Sequence, residues 1–206
     1  SFYFGHQLST IEGGMVNVND PELYEMLLML RSHGWAKDLP KESYDELMSE
    51  HGVDDFHSPF TFFIPGYNLR STDLQAFLGI RQIKKADWVA KRRYENHCLY
   101  AQKLEGYVEF QKWGDDTPVS ISFGALASST EHRREIVERL VANGIETRIY
   151  SAGNLGRHPF WTAKYEEFVD EHSDKIHSQG FFIPNYPELT ADEIDFICKV
   201  VKGEVE

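Results

Sequence analysis

The order of strand and helix signals after residue 118 constrains the fold more strongly than any other feature of the sequence. Residues 118–124 alternate apolar and polar side chains, the period of a strand with one buried face. The signals that follow are a helix at 131–142, strands at 145–150 and 180–184, and a helix from a Thr-Ala-Asp-Glu capping box at 190 to about residue 201. This order predicts a compact α/β unit.

The preceding part of the chain has mainly helical signals. Asp20 and Pro21 form a helix start, and the helix is expected to end near His33 and Gly34. Further expectations are a short helix at 43–51, a buried strand or extended arm at 60–64, and one long helix from Thr72 to about Leu104 that Gly79 weakens or kinks. Buried packing is the expected use of the aromatic residues between 56 and 67, although they could also stack on a guanine.

Charge and cysteine content exclude several classes of function. The chain has 33 acidic and 21 basic residues, a net charge of −12, so we expect no nucleic-acid partner. Cys98 and Cys198 are too few for a disulfide framework or a Cys-rich metal site, and the nine histidines lack zinc-ligand spacing. We therefore expect no metal and a reduced, cytoplasmic protein. The longest apolar runs, such as residues 26–30, are too short to cross a membrane.

The first fourteen residues contain the motif that points to chemistry. Ser1 and Phe2 are followed by three further residues, then His6, and a Glu-Gly-Gly run occupies residues 12–14. This pattern resembles the cofactor segment of the DegT/DnrJ/EryC1/StrS sugar aminotransferase family, in which a lysine stands at the position of His6. A lysine amine holds pyridoxal 5'-phosphate covalently, and an imidazole cannot. The resemblance implies pyridoxamine 5'-phosphate held without a covalent bond and His6 as the catalytic proton-transfer base.

The resemblance also implies a fold. The expected class is α/β, the carboxy-terminal part of the pyridoxal-phosphate-dependent transferase fold type I, as in aspartate aminotransferase. Residues 1–70 would end the large cofactor-binding domain, residues 71–105 would form a long connecting helix, and residues 106–206 would form a small α/β domain. Since family members have strands and helices upstream of the cofactor segment, we expect half of a longer enzyme that binds cofactor poorly in isolation. The alternative is a small, self-sufficient protein.

The resemblance implies roles for three further residues, and each of them also has a non-functional explanation. Ser1 would donate its hydroxyl to the cofactor phosphate, although an exposed chain terminus is an equal reading. Asn68 would reach the cofactor phosphate of a neighbouring subunit, and it could also be a turn residue after Pro-Gly. His33 would act on the substrate, although the helix dipole alone favours histidine there. The segment 146–156, with Arg148, would shape the sugar-nucleotide pocket.

Histidine at the lysine position is typical of the family branch that removes the hydroxyl from carbon three of a nucleotide-linked 4-keto-6-deoxyhexose. The implied substrate is GDP-4-keto-6-deoxymannose, with glutamate as amino donor, in a homodimer with shared active sites. Such deoxysugars enter lipopolysaccharide O-antigen. The alternatives are a nucleotide-sugar aminotransferase and a non-catalytic remnant. A dehydratase coupled to an iron–sulfur cluster is disfavoured, because the two cysteines are isolated.

Overall fold

The computed structural model describes residues 1–205 and separates into two compact units, Ser1–Ile83 and Lys84–Glu206. The helices of the first unit are α1 (Pro21–Arg31), α2 (Lys41–His51) and α3 (Asp73–Gln82). The second unit contains α4 (Ala86–Leu104), α5 (Thr130–Ala142), α6 (Pro159–Thr162), α7 (Glu171–Gln179) and α8 (Ala191–Lys202). Its strands are β1 (Ser122–Leu126), β2 (Arg148–Ile149) and β3 (Gly180–Pro184).

The helix boundaries of the first unit follow from local capping. The Asp20 carboxylate accepts the Leu23 backbone N–H at 3.1 Å, and α1 begins with Pro21. The predicted capping box at the start of α3 is present, since Thr72 and Gln75 satisfy each other's backbone donors. The first two predicted helices are therefore confirmed as α1 and α2, with ends shifted by one or two residues.

Two glycines allow the segment after α1 to lie directly against residues 62–69. Isolated antiparallel bridges pair Ser32 with Asn68 and Trp35 with Phe62. A Cβ atom at Gly34 would lie 1.8 Å from the Ile64 carbonyl oxygen, and one at Gly66 would lie 2.2 Å from the Gly34 nitrogen. The backbones therefore meet at a distance that only glycine permits.

The prediction of buried aromatic packing between residues 56 and 67 is wrong. Phe60 ends a 3₁₀ turn (Ser58–Phe60), and the chain continues as an extended arm with a single bridge at Phe62. The side chains of Phe56 and Phe60 are 86% and 68% exposed. One bridge cannot supply a sheet face to cover them, so the rings remain at the surface.

The single long helix predicted from Thr72 to Leu104 is two α-helices joined by a 3₁₀ turn, Ile83–Lys85. The break lies beyond Gly79, and the boundary between the two compact units falls within the turn. Lys84 and Lys85 lie where α3 ends, and their positive charges suit the partial negative charge at a helix C-terminus. Asp87 lies in the first turn of α4, where its negative charge suits the partial positive charge at a helix N-terminus. The three-domain division of the chain stays a prediction.

The second unit has a three-stranded antiparallel sheet of order β1-β3-β2. The predicted strand at 180–184 is confirmed as β3, whereas the other two strands are shorter than predicted. Residues 118–121 do not pair as a strand, because the Ser120 carbonyl accepts from the Asn185 side chain at 2.8 Å. Strand β2 ends before Tyr150, whose carbonyl accepts the Gly153 N–H in a turn.

One face of the sheet builds a continuous core. Phe123, Ala125, Phe181 and Ile183 are at most 1% exposed and pack in one cluster with residues of α4, α5 and α8. The opposite face has a row of cross-strand neighbours, in which Gly124 and Arg148 both pair with Phe182. Helix α7 was not predicted from the sequence, because its nine residues are mostly polar, none is buried, and so they show no apolar periodicity.

Within residues 1–205, no helix combines the length and the apolar character needed to span a bilayer. The same residues contain no group of three or more His, Cys, Asp or Glu side chains positioned to hold a metal ion.

Candidate functional site

The predicted cofactor segment forms a closed loop. The Phe2 N–H donates to the Gly13 carbonyl at 2.9 Å, and the Thr10 N–H donates to the Phe2 carbonyl at 2.9 Å. The buried Thr10 hydroxyl donates to the Glu12 carbonyl at 2.7 Å. Gly13 has a φ of +148°, and a Cβ there would lie 2.7 Å from the Thr10 hydroxyl oxygen. The first glycine of Glu-Gly-Gly therefore closes the loop that contains His6.

His6 lies in a turn on this loop and is half-buried. Its backbone N–H donates to the Tyr3 carbonyl at 3.0 Å, and its ring meets the Tyr3 ring edge-on at 5.6 Å between centroids. Among residues 1–205, neither ring nitrogen of His6 has a hydrogen-bond partner. The imidazole is therefore placed by its backbone and keeps both nitrogens available for proton transfer.

Ser1 is exposed and its Oγ accepts the Tyr3 N–H at 3.2 Å. Because the oxygen is used as an acceptor, the hydroxyl proton remains available to an anion. Ser1 and His6 thus each form a hydrogen bond with the backbone of Tyr3.

The Gln75 side chain ties this loop to α3. Its Nε2 donates to the Glu12 carbonyl at 2.8 Å, while its Oε1 accepts the Thr72 N–H at 2.9 Å. A cavity of about 410 Å³ lies between loop and helix, with Thr10 and Gly79 in its wall. Ser1 and His6 do not line this cavity.

His33 and Asn68 meet at the second part of the candidate site. His33 has a φ of +64°, its N–H donates to the Tyr67 carbonyl at 2.7 Å, and its ring lies 4.8 Å from the Trp35 ring. The exposed Asn68 accepts the Arg70 Nε–H at 3.4 Å, which leaves its amide hydrogens free among the described contacts. Because Ser32 bridges to Asn68, the two predicted residues lie on adjoining backbones.

The structure does not bring all four predicted residues together. Across residues 1–205, no hydrogen bond or ring contact joins Ser1 or His6 to His33 or Asn68.

Sequence reasoning missed two cations beside Trp35. The Lys37 ammonium lies 4.2 Å from the Trp35 ring centroid and 4.6 Å from that of Phe60, and the Arg70 guanidinium lies 5.9 Å from Trp35. Within the described residues, neither cation pairs with a carboxylate. The available signal was that Lys37 and Arg70 each follow aromatic residues, Trp35 in one case and the aromatic residues at 60–67 in the other.

The Arg70 guanidinium, the Asn68 amide and the Ser1 hydroxyl are each donors of a kind suited to the phosphate of the implied cofactor. Arg70 and Asn68 are hydrogen-bonded to each other, whereas Ser1 lies on the loop that contains His6.

The segment 146–156 contributes in a way the sequence did not indicate. Asn154 is only 3% exposed, and its amide donates to the Phe168 carbonyl at 2.9 Å and to Asp174 at 2.7 Å. Hydrogen bonds from Arg157 and then Asn154 hold the pKa of the Asp174 carboxyl far below its usual value. Asn154 therefore anchors this loop, while Arg148 lines a cavity in the second unit.

Comparison with known proteins identifies relatives along nearly the whole chain. The sequence profile of the DegT/DnrJ/EryC1/StrS aminotransferase family matches residues 1–202. A GDP-4-keto-6-deoxy-D-mannose 3-dehydratase of Escherichia coli O55:H7 is 30% identical over 208 residues, which cover 98% of this chain and 53% of that protein. A GDP-perosamine synthase of Escherichia coli O157:H7 is 26% identical over 208 residues, covering 98% of this chain and 50% of that protein.

A solved structure of the E. coli GDP-4-keto-6-deoxy-D-mannose-3-dehydratase, with bound hydrated pyridoxal phosphate, superimposes with a TM-score of 0.83. It is 25% identical in sequence and covers 97% of this chain and 52% of its own. The likeness confirms the predicted fold class, a part of the fold type I architecture, and pyridoxal phosphate as the cofactor of the relatives. The chain spans about half the length of the curated relatives it matches.

Proposed function

The chain belongs to the DegT/DnrJ/EryC1/StrS aminotransferase family. Within this family, we propose that it acts as a 3-dehydratase of a nucleotide-linked 4-keto-6-deoxyhexose. The proposed substrate is GDP-4-keto-6-deoxymannose, and the product is a 3-deoxy sugar for lipopolysaccharide O-antigen. The observation that carries the proposal is His6, in the loop closed by Phe2 and Gly13, at the position where family members have lysine.

An imidazole at this position changes how the cofactor is held and which group moves protons. Bound pyridoxamine phosphate would supply the amine that reacts with the sugar ketone and a ring that withdraws electrons from it. Since His6 cannot bond covalently to the cofactor, the phosphate donors must retain it, and Ser1, Asn68 and Arg70 suit that task. His6 has two ring nitrogens without a partner among the described residues and would remove the proton from the aminomethyl carbon of the cofactor.

His33 would contact the sugar. Its positive φ turns the residue out of the end of α1, and the Trp35 ring, tilted at 51° with its centroid 4.8 Å away, limits the orientation of its imidazole. We extend the proposal to a homodimer in which Asn68 of one subunit reaches the phosphate in the other, and to glutamate as the amino donor that restores the cofactor amine. The exposure of Asn68 and its free amide hydrogens support a contact outside its own subunit.

Amino transfer is the second candidate function. The GDP-perosamine synthase relative favours it, because that enzyme is similar over 98% of this chain. His6 argues against it, since a lysine at that position both holds the cofactor and moves the proton in aminotransferases of the family.

The first experiment replaces His6 in the full-length protein. His6→Asn keeps the size and polarity of the side chain and removes its basicity, so we expect dehydration to fall by at least about 100-fold. The assay supplies GDP-4-keto-6-deoxymannose, cofactor and glutamate, and it measures the 3-deoxy sugar formed and the ammonia released, whose nitrogen comes from the amino donor. His57→Asn is the matched control, because His57 is exposed, bonds to Asp54 at 2.8 Å and has no proposed role. Equal turnover in wild type and His6→Asn would remove His6 from the mechanism.

A second measurement separates the candidate functions. Borohydride reduction followed by intact-mass measurement should leave the wild-type protein unmodified and should trap pyridoxal phosphate on the His6→Lys variant. A 4-amino sugar as the wild-type product would instead establish amino transfer. Absence of both products at saturating cofactor, in a monodisperse protein, would favour a non-catalytic remnant.

A further inference from the structure

The Tyr3 side chain makes the one ring contact of His6 among residues 1–205. The two rings meet edge to face, with their centroids 5.6 Å apart and their planes at 71°. Tyr3 is 38% exposed and His6 is half-buried, so each ring is partly shielded from water. Edge-to-face geometry at centroid distances of about 4.5–7 Å is a favoured arrangement of aromatic pairs. The contact therefore restricts how the imidazole can turn.

The imidazole of His6 has no hydrogen bond that sets its orientation. The His6 N–H donates to the Tyr3 carbonyl at 3.0 Å, which fixes the backbone but leaves the side-chain torsions of His6 free to choose among their rotamers. A hydrogen bond to one ring nitrogen is the usual device that orients a functional histidine. Five other histidines have such a bond to a ring nitrogen, namely His57, His97, His132, His158 and His177. At His6, the Tyr3 ring takes the place of that bond.

The backbone of Tyr3 and its side chain have separate tasks. The Tyr3 N–H donates to the Ser1 Oγ at 3.2 Å, and the Tyr3 carbonyl accepts from His6. Neither bond uses the Tyr3 side chain, and the loop is closed by the backbones of Phe2 and Gly13. A substitution at residue 3 can therefore remove the ring while the loop stays closed. Within the described residues the Tyr3 hydroxyl has no hydrogen-bond partner, so the contact with His6 belongs to the ring.

We propose that Tyr3 is a positioning residue for the proton transfer assigned to His6. Its ring holds the imidazole so that a nitrogen, and not a ring carbon, faces the aminomethyl carbon of the cofactor. A general base must lie within about 2.6–3.2 Å of the atom that gives up the proton, so the direction of the ring decides whether transfer occurs. The role in turnover rests on the proposed function, whereas the ring contact rests on the geometry of the loop.

The first test compares Tyr3→Leu with Tyr3→Phe in the full-length protein loaded with pyridoxamine phosphate. Tyr3→Leu removes the aromatic pair, so we expect kcat for dehydration to fall by about tenfold. The KM of the sugar nucleotide and the affinity for pyridoxamine phosphate should change by less than about twofold, because the backbone bonds remain. Tyr3→Phe keeps the ring and should retain the wild-type kcat. Tyr24→Leu is the matched control, because Tyr24 is an exposed tyrosine of the same unit without a ring contact among the described residues.

An isotope effect shows whether the proton-transfer step is the one affected. Pyridoxamine phosphate deuterated at the aminomethyl carbon should slow Tyr3→Leu more than it slows the wild type, because removal of that proton limits the rate more strongly in the variant. A side chain that only stabilises the fold would lower kcat without changing the isotope effect.

The second test needs no turnover. Nuclear magnetic resonance of the full-length protein with labelled histidine reports the ring protons of His6, whose signals are identified by their absence in His6→Asn. The ring current of Tyr3 shifts these signals, so we expect them to move in Tyr3→Leu and to stay near their wild-type positions in Tyr3→Phe.

Unchanged His6 signals in Tyr3→Leu would overturn the ring contact, and an unchanged kcat would overturn the positioning role. Loss of cofactor affinity in proportion to kcat would show a structural role instead, and a Tyr3→Phe variant as slow as Tyr3→Leu would assign the effect to the hydroxyl. Failure of the proposed function is distinguishable from these outcomes. A protein that forms no 3-deoxy sugar yet shows the Tyr3-dependent shift would lose the function and keep the ring that orients His6.

Discussion

The two compact units differ in what holds them together. In the second unit, sixteen residues that include Phe123, Phe181 and Ile194 form one buried cluster. In the first unit, Ala36 and Met48 are the described hydrophobic residues that are buried, while larger side chains such as Phe77 remain exposed. The first unit is instead organised by capping groups, short backbone bridges and the glycine contact of Gly34 with Gly66.

This difference shows which part of the chain can be stable by itself. Burial of apolar area supplies most of the free energy of folding, and the second unit has a continuous core to supply it. The exposed apolar side chains of the first unit form a surface of the kind that another protein segment or subunit covers. That reading agrees with the homodimer that we propose, in which Asn68 would act across the interface.

The largest expected effect is loss of core packing in the second unit. Phe123 is fully buried and stacks near Tyr100 at 5.2 Å, so Phe123→Ala should lower the free energy of unfolding by about 3–5 kcal/mol. Phe56→Ala in the first unit is the matched change and should alter it by less than about 0.5 kcal/mol, since Phe56 is 86% exposed. Urea unfolding followed by circular dichroism measures both. Similar losses in the two variants would break the comparison between the units.

The same capping box occurs in both units and gives an intermediate effect. Thr190 and Glu193 begin α8, whose apolar stripe is buried, so Thr190→Ala should destabilise the second unit by about 1 kcal/mol. Thr72→Ala removes the equivalent cap from α3, which has no buried residue, and should speed amide exchange only in α3 and in the loop that Gln75 holds through Glu12. Hydrogen exchange resolved by residue distinguishes the outcomes. Faster exchange of the β1 and β3 amides in Thr72→Ala would show that the units are coupled.

The smallest effect concerns acid stability. Hydrogen bonds from Lys103 and then Lys199 lower the pKa of Asp195 to about 2. Because the folded-state pKa lies below the unfolded value, this stabilisation is present above about pH 4 and is lost as the pH falls towards 2. Asp195→Asn should therefore flatten the fall of the urea midpoint between pH 5 and pH 2. Asp45→Asn, which breaks an exposed pair with Lys41, is the control, and an equal flattening there would contradict the assignment.

The sequence indicated the features that depend on neighbouring residues and missed those that depend on distant ones. Capping signals at Asp20, Thr72 and Thr190 predicted helix starts correctly, because a cap is satisfied within three residues. The long helix failed at residues 83–85, where a turn between two compact units overrides continuous helical propensity. Periodicity also overextended β1, because side chains from α4 and the loop after β3 take the backbone carbonyl of Ser120.

In the candidate site, too, the local features could be predicted from the sequence and the long-range contacts could not. The motif around His6 was readable because the loop closes within fourteen residues, between Phe2 and Gly13. The contact of His33 with the segment before Asn68 depends on pairing of backbones about thirty residues apart in sequence. The approach of Arg70 to the Trp35 ring depends on the same pairing. No local pattern encodes such pairing. The roles of Ser1, His6, His33 and Asn68 stay predictions until the variants are measured.

The two polar atoms of the Gln75 carboxamide bond to two different elements of the fold. The oxygen completes the start of α3, and the nitrogen holds the carbonyl of Glu12 in the loop that contains His6. Fraying of that helix and displacement of the loop that contains His6 are therefore thermodynamically linked events. Glutamate at this position would keep the first bond and replace the second with repulsion between two oxygens, so an exchange of a single atom would uncouple helix order from the placement of the imidazole.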